Sequence, residues 1–175
     1  MTARLQSLAD IEAACWRELE AAAVDRGHEW RVLALATAAG EQADVRSILL
    51  REARRDKRCL AFFTDSRSPK ALQIARQPQA MLLAWSPRLS WQLRIKAKLE
   101  VQTDGLDVSS RWARLKLTPA AQDYLSPLPP GSPVADRFEP ERASRSHFAV
   151  VSARVLSTDW LELHADGHRR AHFGS

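Results

Sequence analysis

The chain has 175 residues, 45% of them hydrophobic, and 26 Lys and Arg against 21 Asp and Glu give it a formal charge of +5. That length fits one globular domain with a sizeable core, and no apolar run approaches a membrane span or follows a basic N-terminal segment. Cys15 and Cys59 are isolated, without metal or redox spacing, which places the chain in a reduced cytoplasmic setting. The basic excess suits an anionic small ligand or nucleic acid and does not choose between them.

Residues Ser7 to Arg26 read as an amphipathic helix. Leu8, Ile11, Ala14, Cys15, Leu19 and Ala22 recur at helical spacing, and Gly27 ends it. Strands then dominate. Trp30–Thr37 is followed by a turn at Ala39–Gly40 and by a second strand, Val45–Leu50. A charged turn, Glu52–Lys57, leads to a third strand, Cys59–Thr64. Ser68 then caps a helix to Gln77, with Pro69 at its first position and Lys70 in its first turn. A helix N-terminus offers unpaired N–H groups and a partial positive charge, so with Lys70 beside it this is a ready anion site. If the two preceding strands pair, Arg46 or Arg51 could reach the same anion. The chemistry suggested is recognition of a phosphate monoester. Five residues apart, however, the two arginines point to opposite faces unless a bulge intervenes. The plain alternative is two strand-end arginines and an ordinary helix cap.

Gln79–Ser86 is another apolar strand, closed by Pro87. In the next stretch, Trp91, Leu93, Ile95, Ala97, Leu99 and Val101 alternate strictly with Gln92, Arg94, Lys96, Lys98, Glu100 and Gln102. Period two over this length is a long antiparallel strand with one buried and one wet side. Helical signals return from Asp107, a cap for a helix through Leu117, and Thr118-Pro119 restarts one through Leu125. A rigid loop, Ser126–Pro133, precedes two strands, His147–Ser157 and Asp159–Ala165. Asp166-Gly167 then signals a tight hairpin into His168–Phe173. About seven strands with few helices between them, and no Gly-rich phosphate fingerprint, argue against a Rossmann layout. The pattern predicts a mainly β (α+β) fold: a six- to seven-stranded antiparallel split β-barrel with peripheral helices, a single domain over residues 1–175. The histidines show no metal-ligand spacing, so no metal site is expected, and spacing nominates no catalytic residue.

Four segments, RSILLR, FFT, SPK before a helix and WQLRIKAKLE after it, together with Trp160 ten residues ahead of Arg170, carry a resemblance. From about Trp30 to Phe173 the chain resembles the FMN-binding split-barrel family typified by pyridoxine/pyridoxamine 5′-phosphate oxidase. The resemblance implies FMN as cofactor and a homodimer with FMN at its interface. It implies that Arg46, Ser47, Ile48, Leu49 and Arg51 lie along the cofactor, with Phe63 and Thr64 at the ribityl-phosphate end. It likewise implies Ser68 and Lys70 at the phosphate, Gln92 at the flavin, and a role for Gln92, Trp160 and Arg170 toward the flavin of the second subunit. Pro69 replaces the family's Arg, and the nearby Arg67 is a candidate substitute. The apolar side of the long alternating strand, more than one small barrel needs, is a further pointer to a homodimer.

Where the oxidases carry Arg-x-His-x-Arg, this chain has Asp166-Gly-His168-Arg-Arg170. An acid thus replaces the Arg whose implied contact is pyridoxal phosphate, which works against binding that substrate. The substrate-phosphate helix is also poorly matched, leaving Trp112, Lys116 and His168 as substrate candidates. The implied function is an FMN-dependent oxidoreductase acting on a small-molecule substrate or electron donor other than pyridoxine 5′-phosphate. Two alternatives stand beside it: a non-catalytic module for FMN or another phosphorylated ligand, and a basic nucleic-acid-binding barrel. Against the latter, the aromatics fall on apolar strand faces and leave no stacking platform.

Overall fold

The computed structural model describes residues 4–133 and 147–174. Ser7 opens helix α1 (Leu8–Val24), its hydroxyl accepting from the Asp10 amide at 3.0 Å. The helix buries Ile11, Ala14, Cys15, Trp16, Leu19 and Ala22 and packs on the second strand. The strands are β1 (Val32–Ala39), β2 (Gln42–Arg54), β3 (Cys59–Asp65), β4 (Gln79–Ser86), β5 (Trp91–Gln102), β6 (Phe148–Glu162) and β7 (Arg169–Gly174). They pair antiparallel in the order β3-β2-β1-β4-β5-β6-β7, and β3 also pairs with β6. Six strands therefore close a ring, with β7 added outside it along the second half of β6. Helix α2 (Pro69–Arg76) joins β3 to β4 and packs against β1 and β5. Helix α3 (Leu106–Leu115) and a 3-10 turn, Pro119–Tyr124, follow β5. This is the split barrel with peripheral helices that the hydrophobic pattern predicts.

The ring interior is built from the alternation. Trp91, Leu93, Ile95, Ala97 and Leu99 of β5 all point inward and are buried. Burying each of the large side chains in that row contributes about 1.5–3 kcal/mol, so a charge at Ile95, which is fully buried, would collapse the core's centre. The chain's own core therefore consumes this apolar side, and it is not the surplus expected above. A different surplus exists. Val32, Val45, Leu49, Leu83 and Trp85 are exposed on the outer face of β1, β2 and β4.

Other boundaries differ from expectation for local reasons. The two strands read on either side of Thr158 are one strand, β6, in which no Gly or Pro interrupts Leu156–Asp159. A bulge there, with Val155 opposite Ala97 and Ser157 opposite Lys96, leaves Leu156 unpaired and absorbs the irregularity. Strand β2 continues through Glu52 to Arg54 because β3 pairs with that charged stretch. Helix α3 starts at Leu106 behind Gly105, whose φ of 90° suits glycine, so Asp107 lies in its first turn and is not its cap. The β6–β7 hairpin forms, but over the six-residue loop 163–168 and not the tight turn read at Asp166-Gly167; Gly167 sits in that loop at φ 103°, its N–H donating to the His164 carbonyl.

Candidate functional site

One mouth of the barrel is polar. Inward positions alternate along β2, so Asp44, Arg46, Ile48 and Leu50 share a face, and Thr37 faces the same way from β1. Ile48 and Leu50 fill the core, whereas Arg46 and Asp44 emerge at the edge beneath α2. The Arg46 guanidinium donates to Thr37 Oγ1 at 2.5 Å, to the Leu35 carbonyl at 3.3 Å and to Gln73 Oε1 at 2.8 Å. It also pairs with Asp44 Oδ2 at 2.5 Å, and Gln73 Nε2 donates to that same oxygen at 2.8 Å. Gln73 lies one turn after Lys70 on α2, so both side chains sit on one helix face. Burial, and then the nearby charge of Arg46, push the Lys70 pKa below its ordinary value. Hydrogen bonding from Gln73 first, and then the nearby charges of Arg46 and Lys70, hold the Asp44 carboxyl below the usual range.

The start of α2 adds to this corner. Ser68 is fully buried, and its hydroxyl lies 3.1 Å from that of Thr64 instead of capping the helix. Arg67 is committed elsewhere. It holds Asp65 in a two-armed pair at 3.1 and 2.7 Å and donates to the Ser126, Pro127 and Leu128 carbonyls. With those donors engaged by Asp65 and that loop, Arg67 would reach a ligand near position 69 only by giving up these contacts.

Arg51 does not join Arg46. The register slips between Leu50 and Glu52, and Arg51 is the extra residue of this bulge. Its guanidinium carbon lies 5.5 Å from the Phe63 ring centre, and its charge lies near Tyr124, whose pKa burial raises. Phe63 in turn meets Phe148 edge-on at 4.9 Å, and Phe148 meets Trp112 at 5.4 Å and Tyr124 at 5.3 Å. Trp112 thus belongs to a small apolar cluster between α3 and the barrel, while Lys116 is exposed beyond the helix end.

The remaining candidates lie on the outer sheet face. One register row crosses six strands: Ser47, Ala34, Leu83, Arg94, Asp159 and His172. A second row places Trp85, Gln92, Leu161 and Arg170 side by side on β4, β5, β6 and β7. Arg170 is held by Asp159 through contacts of 2.9, 3.1 and 2.5 Å. Ser47 and Leu49 also face outward. Trp160 does not. It alternates inward, is 1% exposed and meets Trp91 edge-to-face at 5.3 Å, so its ring is core and offers no surface to a ligand. His168 is exposed on the β6–β7 hairpin, where its Nδ1 accepts from the His164 amide at 3.1 Å.

A single chain therefore holds two separate groups: Arg46, Lys70, Thr64 and Ser68 at the mouth, and Gln92 with Arg170 outside, beside the exposed apolar patch. The mouth fits a phosphate. Arg46 bonds Gln73, one turn along α2 from Lys70, and the Asp44 carboxylate already stands in for an anion between Arg46 and the Gln73 amide. Sequence reasoning missed Asp44, Gln73 and Thr37, which only the β1–β2–α2 packing brings together. It also missed Tyr124 beside Arg51 and Trp85 beside Gln92. Among the described residues, no group of three or more His, Cys, Asp or Glu is placed to hold a metal. Nor is any helix there long and apolar enough to cross a membrane.

The fold recurs in solved structures. A pyridoxamine 5′-phosphate oxidase-related, FMN-binding protein from Nostoc punctiforme is 23% identical with a TM-score of 0.70, covering 97% of this chain and 91% of its own. PhzG from Burkholderia lata, solved in complex with tetrahydrophenazine-1-carboxylic acid, is 20% identical with a TM-score of 0.75, covering 98% and 92%. General Stress Protein 26 from Bacillus anthracis is 12% identical with a TM-score of 0.55, covering 90% and 98%. At these identities the likeness is one of fold. No curated protein sequence matches the chain. The family description "Pyridoxamine 5′-phosphate oxidase, FMN-binding domain" matches residues 13–103, which run from α1 through β5 and include Arg46, Lys70 and Gln92. By that match the chain belongs to the pyridoxamine 5′-phosphate oxidase FMN-binding domain family.

Proposed function

We propose that the chain binds FMN between two copies of itself and acts as an FMN-dependent oxidoreductase. The observation that carries this reading is that Arg46 hydrogen-bonds Gln73, one turn along α2 from Lys70, so both cations lie at one helix face inside the segment that matches the family. In this reading the two cations hold the phosphate, with the N-terminal amides of α2 adding their dipole. Val32, Val45, Leu49, Leu83 and Trp85 form the surface that a second copy covers. In this reading the contact is two-fold, through the outer face of β1, β2 and β4. That brings Gln92 and Arg170 toward the opposite mouth, which they do not reach within their own chain. Asp159 pairs with the Arg170 guanidinium on that face.

FMN bound there supplies the hydride and electron chemistry, and the chain supplies charge, hydrogen bonds and shielding from water. The substrate in this reading is a small molecule other than pyridoxine 5′-phosphate. Asp166 stands exposed on the β6–β7 hairpin, where an acid repels a phosphorylated ligand. One observation favours the second reading, a flavin carrier without turnover: Trp112, Lys116 and His168 lie apart and do not converge on the outer face.

The test is a titration of the purified protein with FMN and with riboflavin, followed by anaerobic mixing of the FMN-loaded protein with pyridoxine and pyridoxamine 5′-phosphates. The reading expects a clear preference for FMN, and slow or absent bleaching by either vitamer. No binding of FMN would overturn it, and rapid bleaching with recovery in air would overturn the substrate assignment.

A further inference from the structure

Asp44 and Arg46 differ in how firmly the fold holds them. Arg46 is fastened by contacts that do not involve Asp44: Thr37 Oγ1 at 2.5 Å, the Leu35 carbonyl at 3.3 Å and Gln73 Oε1 at 2.8 Å. Its side chain is 20% exposed, that of Asp44 43%. The cation is therefore fixed by strand β1 and helix α2, while the acid reaches in from the strand end with an open side toward water. Asp44 does not orient Arg46. It neutralises it, and it does so from the place that an acceptor oxygen would take between Arg46 and Gln73.

We propose that Asp44 is an internal counter-ion occupying the phosphate position of the mouth, and that a ligand's phosphate binds by displacing its carboxylate from Arg46 and Gln73. This rests on the reading of Arg46 and Lys70 as a phosphate site. The physical logic is an exchange of one anion for another. Without ligand, the carboxylate relieves the mutual repulsion of two neighbouring cations. A phosphate monoester brings more charge and more acceptor oxygens, so it wins the exchange, but it must first overcome a bound competitor and then coexist with a displaced like charge. Asp44 therefore weakens phosphate binding and speeds release, because its return to Arg46 assists the departing ligand. A neutral flavin that lacks the phosphate has nothing to exchange and is indifferent to Asp44.

Asp44→Asn tests this directly, since the amide oxygen still accepts from Arg46 and Gln73 while the charge is gone. Wild type and D44N are titrated with FMN and riboflavin, dissociation rates are taken by dilution, and inorganic phosphate is used as competitor. The expected result is FMN binding roughly three- to thirtyfold tighter in D44N, as expected for removing one partly exposed like charge. The gain should sit mainly in slower dissociation, with stronger competition by inorganic phosphate and riboflavin unchanged. Weaker or unaltered FMN binding in D44N overturns the proposal, as does equal tightening of FMN and riboflavin. Asp44→Ser, which shortens the side chain, guards against a fold defect and should shift FMN in the same direction. If wild type and D44N alike fail to prefer FMN over riboflavin, the phosphate site itself is refuted and the counter-ion falls with it.

Discussion

Replacing Lys70 by Met removes a charge and keeps most of the apolar stem. In the proposed complex Lys70 gives the phosphate a charge-assisted contact, worth on the order of 1.5–3 kcal/mol. That is about ten- to hundredfold in FMN affinity. The ammonium is half-buried beside Arg46, so salt screens the contact less than it would at an open surface. The same placement makes a second, opposite prediction for the ligand-free protein. Burial and Arg46 depress the folded-state pKa of Lys70, so holding it charged costs stability. That cost is fully present below the folded pKa and is relieved as the pH rises through it toward the unfolded value. K70M should therefore leave the apo melting temperature unchanged or raised, and flatten its rise at alkaline pH. The assay is flavin fluorescence titration with FMN and riboflavin, together with thermal melts with and without ligand. Equal loss of affinity for both flavins, or an apo protein markedly less stable than wild type, would refute the reasoning.

Three further outcomes are expected. Glu162 is buried between Arg4 at 2.7 Å and Arg169 at 2.9 Å; burial alone would raise its pKa, but the two arginines hold it below the ordinary value. Glu162→Gln should cost about 1–3 kcal/mol in urea unfolding at neutral pH. The wild-type advantage, present above the unfolded pKa, should vanish as the pH falls through the folded one. On the outer face, Leu83→Lys or Trp85→Lys should yield monomers by light scattering, since each places a like charge twice in a two-fold contact; dimers that persist would assign the interface elsewhere. Cys15, buried and pushed up to about 12 with Glu12 and Glu18 nearby, should resist thiol reagents until the protein unfolds, with the half-buried Cys59 reacting first.

The barrel was legible because its strands carry strong local signals. The alternation from Trp91 to Gln102 fixes which side faces in, and Asp166-Gly167 marks the final hairpin. Ser68-Pro69-Lys70 marks the start of α2. What the linear pattern could not carry was the result of side chains meeting from separate elements. Asp44, Thr37 and Gln73 are unremarkable polar residues until β1, β2 and α2 pack. Arg51, an odd number of residues from Arg46, starts on the opposite strand face, and the bulge of β2 against β3 that sets it over Phe63 has no marker in the residues themselves. Trp160 keeps its distance from Arg170 along the chain, yet strand alternation turns its ring into the core while Arg170 faces out. The β6 bulge at Leu156 is silent for the same reason, since Ser157 and Asp159 read as a break and behave as strand.

In the proposed complex one FMN phosphate lies between Arg46 and Lys70 while the second copy closes the site. A crystal structure of the protein grown with FMN measures this directly. The phosphate should lie within hydrogen-bond reach of Arg46 and Lys70, with Asp44 turned away from Arg46 and the flavin facing Gln92 and Arg170 of a second copy. FMN found in one chain with its phosphate beside Arg51 and Tyr124, or with Asp44 still bound to Arg46, would contradict it.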